Sequence, residues 1–190
     1  MEKNINHIIK ERRSIFPKEY TGEILPDEVL NTLLENANFA PNHHSNYPWR
    51  FVIINPNKIK VWLDKAAEIY QSNTSKELFK EDKFNKILGF SQLISHVIAI
   101  VMVREDSKTK ELEDVEAVAC AVQNMYLSLS QFENAGGYWS TGLGTYDSEM
   151  KSFLRLNENE TLLGYFILGH VAEKRMLGGR RNYQNFVREL

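Results

Sequence analysis

The chain holds one cysteine, Cys120, in 190 residues, which excludes an intramolecular disulfide and any metal site built from a cysteine cluster. Long apolar runs are missing as well: the longest, Val97 to Val103, is far too short to span a bilayer. Charge of one sign does not accumulate. The 23 basic and 25 acidic residues are mixed along the chain and leave a net charge of −2, so neither nucleic acid nor an anionic membrane is an expected partner. Internal repeats, low-complexity tracts and Gly/Ser linkers are absent, which argues for one domain over residues 1–190. The first six residues lack the apolar core of a signal peptide, and a reduced, cytoplasmic, soluble protein is the expectation. What remains is an ordinary globular composition, 43% hydrophobic and 25% charged, with enough chain for a substantial core.

Periodicity divides that chain into helices and strands. Asn4 to Arg13 carries Ile5, Ile8 and Ile9 at helical spacing, and a second helix starts at Pro26 and runs through Leu30, Leu33 and Ala37. Trp49 to Ile54 reads as a strand that ends where Pro56 opens the next helix. Residues 71–91 read as one or two polar surface helices. Ile94 to Val103 has the length and unbroken apolarity of a strand covered on both faces. Glu111 to Asn134 is the longest helical pattern, apolar around more than half its girth, and Gly136-Gly137 is expected to terminate it. A strand at Tyr138 to Thr141, a helix capped by Asp147 and a buried strand at Leu162 to Leu168 complete an α/β or α+β layered domain. Cys120 falls inside the apolar pattern and is expected in the core.

Four constellations carry polar chemistry. Arg12-Arg13-Ser14 closes the first helix, where basic residues complement the macrodipole or, equally, receive an anion. Ala40-Pro41-Asn42-His43-His44 leads into Pro48-Trp49, a loop whose adjacent histidines should diverge and have no acidic neighbour, against a metal. Gly136-Gly137-Tyr138-Trp139-Ser140-Thr141-Gly142 forms a glycine-flanked strand. Its Gly142-Leu143-Gly144 lacks the third glycine of a dinucleotide fold, and no Gly-x-Ser-x-Gly elbow of a serine hydrolase occurs. Finally Leu168-Gly169-His170 is followed by the basic residues Lys174, Arg175, Arg180 and Arg181, the last two beside permissive glycines.

Taken together, these motifs resemble the FMN-dependent nitroreductase family, in its short-chain subgroup. An Arg-Arg-Ser start and an Ala-Pro block ending in Pro-Trp frame a flavin there. The resemblance implies an α+β nitroreductase-like fold with a central, mostly antiparallel sheet flanked by helices, in an interlocked homodimer with FMN at the subunit interface. It implies that Arg12, Arg13 and Ser14 meet the phosphate, ribityl chain and pyrimidine edge. Pro41, Asn42 and His43 would reach the flavin held mainly by the other subunit. Trp139, Ser140, Thr141 and Gly142 would lie against the ring, and Arg180 or Arg181 would return to the phosphate. Many members have a basic residue where Phe16 stands, so charge on the reduced flavin would be met by Arg13 or Lys18. Residues 71–91 would be a variable lid and 171–190 a wrapping tail.

The implied activity is hydride transfer from NADH or NADPH through flavin N5 to a small, planar, electron-poor acceptor such as a nitroaromatic or quinone. It proceeds by a ping-pong route in which no side chain need be a catalytic residue. Dehalogenation, enone reduction or flavin consumption on the same scaffold, or a flavin-binding or storage module with little turnover, are the alternatives.

Overall fold

The computed structural model describes residues 4–104, 110–173 and 179–190. Four strands form its sheet: β1 (Trp49–Ile54), β2 (His96–Val103), β3 (Ala135–Ser140) and β4 (Glu160–His170), in the order β1-β2-β4-β3 with every pair antiparallel. β2 is buried along its whole length, and its period-two alternation feeds two cores. Val97, Ala99 and Val101 face one core, with α3 (Pro56–Ser72), α4 (Glu81–Gly89) and α6 (Ser148–Phe153). Ile98, Ile100 and Met102 face the other, with α2 (Asp27–Ala37) and α5 (Glu111–Leu129). Helices on both faces explain why β2 reads as unbroken apolar sequence. Among the described residues no helix is long and apolar enough to cross a membrane.

Local chemistry explains most element ends. Pro26 precedes α2 and Pro56 opens α3, and the Asp147 carboxylate accepts from the Glu149 amide to cap α6. Residues 71–91 contain the end of α3, then α4 and a short 3-10 turn at Phe90–Gln92.

Three expectations are corrected. α5 stops at Leu129 instead of Asn134: the Ser128 and Ser130 hydroxyls donate back to the carbonyls of Asn124 and Tyr126, and tight turns follow. Gly136 and Gly137 therefore do not end the helix but lie within β3, paired with Gly169 and Leu168. Cys120 is exposed. The buried stripe of α5 runs through Asp114, Ala117, Val118, Ala121, Val122, Met125 and Leu129, and Cys120 falls on the opposite face, away from the sheet.

The glycines of β3 and β4 serve close packing. A Cβ on Gly136 would press on Val171 and Ile15 at 2.8 and 3.2 Å, one on Gly137 would meet Leu129 at 2.9 Å, and one on Gly169 would overlap the Tyr20 ring. The segment after α1 (Ile5–Glu11) lies in the resulting groove. Ile15 N–H donates to Gly137 O at 3.1 Å and Thr21 N–H to His170 O at 2.9 Å. Between them the buried Tyr20 hydroxyl reaches the carbonyls of Ile15 and Ile167 at 2.9 and 3.0 Å. Gly169→Ala should lower stability by about 1–3 kcal/mol through overpacking. That would appear as a lower urea midpoint at constant slope, and an unmoved midpoint would contradict the packing account.

Buried His96 accounts for a second expectation. Its Nδ1 lies 2.8 Å from Ser95 Oγ, which accepts from the Leu25 amide. Burial pushes its pKa below the usual 6.5, with the Asp27 carboxylate opposing the shift. The unfolded chain then takes up a proton at higher pH than the folded one. Stability is full above about pH 6.5 and declines as the pH falls from there through the depressed native value. Replacing His96 with Gln should flatten that part of the stability profile in urea titrations; an identical slope would assign the decline to other groups.

Candidate functional site

Arg12 is the residue at which α1 ends: its amide still bonds Ile8 O, while its backbone turns extended. The guanidinium seats over the Tyr126 ring, 4.8 Å from the centroid. Burial lowers its pKa, the Tyr126 hydroxyl raises it, and the charges of Arg180 and Arg13 lower it further. The charge of Arg180, in the tail, thus acts at the end of α1, and Arg180 and Arg181 are both exposed. Arg13 also serves the helix end, donating to the carbonyls of Lys10 and Arg12 at 2.7 and 2.9 Å. Among the described residues no acidic group figures in the charges acting on Arg12. A partly desolvated guanidinium on whose charge two further arginines act suits a multiply charged anion such as a phosphomonoester.

Tyr126 joins this cluster to the sheet. Trp139 N–H donates to its hydroxyl at 2.6 Å, Ser14 Oγ stands 3.2 Å from the same oxygen, and its ring packs edge-on against Phe166. The Trp139 indole N–H donates to Leu163 O at 3.0 Å, where a register shift between β2 and β4 leaves Leu163 out of the ladder. Gly164, at φ +125°, makes room: a Cβ there would sit 2.6 Å from Trp139 Nε1. Beyond Trp139, Ser140 Oγ accepts from the Gly142 amide, and Thr141 and Gly142 are exposed. Phe16 packs tilted against Tyr138 with ring centroids 4.9 Å apart, and burial raises the Tyr138 pKa against a hydrogen bond from Ser140.

The Pro-rich loop is built elsewhere. Asn42 Oδ1 accepts from the Tyr47 amide at 3.3 Å, and His44, Ser45 and Tyr47 have φ of 54°, 53° and 46°, costly for residues with a Cβ. Contacts to the start of α5 hold this backbone. Asn46 Nδ2 donates to the buried Asp114 at 2.6 Å, Arg104 pairs with the same carboxylate at 3.1 Å, and Arg50 Nη1 donates to Tyr47 O. The histidines do not diverge: the positive φ of His44 folds its ring onto His43 at 4.1 Å, and His43 Nδ1 lies 3.2 Å from Glu113 Oε2. The Lys110 amide and His43 both hold the Glu113 pKa down. Among the described residues no three His, Cys, Asp or Glu side chains converge as a metal site.

Arg12, Ser14 and Trp139 therefore meet around Tyr126, with Arg13 and Arg180 acting on the charge of Arg12 and Ser140, Thr141 and Gly142 following along the chain. Pro41, Asn42 and His43 belong to a loop anchored at Glu113 and Asp114, and twelve helical residues place Tyr126 about 18 Å further along α5. Lys174 and Arg175 lie outside the described residues. Tyr126 was visible in the sequence only as one more apolar-face residue. Its phenol, which must find partners when buried, was the available signal.

Known proteins share this architecture. The nitroreductase family model matches residues 9–170. YfhC of Bacillus subtilis, a candidate NAD(P)H nitroreductase, is 26% identical over 172 residues, 89% of this chain and 85% of its own length. A nitroreductase-like protein from Bacillus cereus superposes with a TM-score of 0.82 at 24% identity, covering 100% of this chain and 97% of that one. A candidate nitroreductase from Desulfovibrio desulfuricans, solved in complex with FMN, gives a TM-score of 0.76 at 23% identity over 100% and 98% of the two chains. With the family match spanning both strand edges, the cationic helix end and the Pro-rich loop, the chain belongs to the nitroreductase family.

Proposed function

We propose that this chain is an FMN-dependent oxidoreductase that uses NADH or NADPH to reduce small, planar, electron-poor acceptors such as nitroaromatics or quinones. The observation that carries the reading is the meeting of Arg12 and the Ser14 hydroxyl with Trp139 around Tyr126, with the charges of Arg13 and Arg180 acting on Arg12. The cations suit the FMN phosphate, and the half-buried strand end at Ser140 with the exposed Thr141 and Gly142 after it suits a flat ring. Bound FMN would supply the redox chemistry, taking a hydride from the nicotinamide and passing electrons to the acceptor in alternating half-reactions. The chain's own work is to bind and orient: guanidinium groups hold the phosphate end, and Trp139, tied to Leu163, holds the strand edge beside the ring. No side chain is assigned as nucleophile, acid or base.

A homodimer completes this reading. The loop carrying Asn42 and His43 is anchored about 18 Å along α5 from the residue that seats Arg12, and we assign it to the flavin of a two-fold partner. Apolar surface in need of cover supports the same arrangement. α1 buries none of its residues and exposes Ile5 and Ile9, and the tail exposes Tyr183, Phe186 and Val187.

Visible spectroscopy on the purified protein, loaded with FMN if necessary, followed by anaerobic NADPH and then NADH, tests the proposal. Bound flavin that bleaches is the expected result. Bound flavin that resists both nicotinamides would indicate a binding or storage module, and failure to take up FMN would overturn the reading.

A further inference from the structure

We propose that Tyr126 is a positioning residue that makes Ser14 a hydrogen-bond donor toward the ligand and so selects the phosphorylated flavin over riboflavin. This rests on the phosphate reading of the Arg12 cluster. The argument follows protons. The Trp139 amide has a single hydrogen and no lone pair to offer, so across its 2.6 Å contact Tyr126 Oη is the acceptor. The phenol's own proton is then directed to its other partner, Ser14 Oγ, at 3.2 Å. With that lone pair engaged, the Ser14 proton turns outward, since Ser14 is exposed and its hydroxyl rotates freely about the C–O bond.

The opposite polarity would leave Ser14 presenting lone pairs beside Arg12, on whose charge Arg13 and Arg180 also act. An anionic oxygen arriving there would meet repulsion where the cations attract it. With Ser14 as donor, its hydroxyl hydrogen and the charge of the neighbouring Arg12 guanidinium favour the same kind of group. A phosphomonoester dianion, which carries only acceptors, satisfies them together. The same side chain also seats Arg12, whose guanidinium lies over the ring, and the ring is fixed by its edge contact with Phe166 at 4.7 Å. One residue therefore sets both the proton direction of Ser14 and the seat of Arg12.

Tyr126→Phe separates the two roles, because it removes the hydroxyl and keeps the ring. Flavin-stripped protein would be titrated with FMN and with riboflavin, following flavin fluorescence, alongside thermal midpoints. The expected result is an FMN affinity about tenfold weaker with riboflavin affinity unchanged. Ser14→Ala should narrow the preference to a similar extent, and the double variant should narrow it no further, because the two hydroxyls act as one chain. Equal weakening of both flavins would show a structural role only, and an unchanged FMN affinity would equally overturn the inference. If Tyr126→Phe does not fold, Ser14→Ala with an unchanged flavin preference would still overturn it. Wild-type protein that binds neither flavin would defeat the proposed function itself, a different outcome from a wild type that prefers FMN and a variant that keeps the preference.

Discussion

The segment that carries Arg12, Arg13 and Ser14 depends on a groove without side chains in the sheet. Gly136 and Gly169, paired across β3 and β4, leave a channel on one face of the sheet, and Ile15 and Tyr20 fill it so closely that a single methyl group on Gly169 would collide with the Tyr20 ring. The Tyr20 hydroxyl then ties Ile15 to Ile167, while the Ile15 and Thr21 amides bond the strand carbonyls on either side. Three points hold the chain between α1 and Thr21. Only because that path is set do the guanidinium groups and Ser14 arrive beside Tyr126 and Trp139.

α5 has the complementary task of keeping two structures apart. At its start, buried Asp114 receives Asn46 and Arg104 and so stabilises a loop with three positive φ angles outside glycine. Near its end, Tyr126 organises the cationic cluster. The rise of the helix puts about 18 Å between the two anchors, and on the proposed dimeric arrangement a flavin held by one cluster would meet the loop of a second chain. The strained loop and the exposed apolar segments at both ends of the chain become intelligible on that arrangement.

Much of this was legible in the sequence, for identifiable reasons. Period-two and helical patterns, together with Pro26, Pro56 and Asp147, located the helices and strands because those signals are local. Arg12, Arg13, Ser14 and Trp139 could be named together because each motif is contiguous, and their meeting in space follows the resemblance that the family match supports. What was hidden is tertiary. Gly136 and Gly137 look like a helix stop until Ile15 and Leu129 are seen against them. The apolar girth of α5 looked wide enough to bury Cys120, yet the sheet covers a narrower stripe. The stacking of His43 on His44 comes from a left-handed backbone that no composition rule announces. Tyr126, whose partners lie 112 and 13 residues away, could not be singled out without the fold.

The central claim is that each flavin site joins the Arg12 cluster of one chain to the Asn42-His43 loop of another, and mixed dimers test it most directly. One chain would carry Arg12→Ala, which removes a charge-assisted contact worth about 1.5–3 kcal/mol. The other would carry Asn42→Ala with His43→Ala. Each homodimer should lose flavin on gel filtration. Dimers holding one chain of each kind should recover one flavin per dimer, because one of their two sites combines both intact halves. Mixed dimers that stay as empty as the homodimers would show that each site is built within a single chain and would contradict the account.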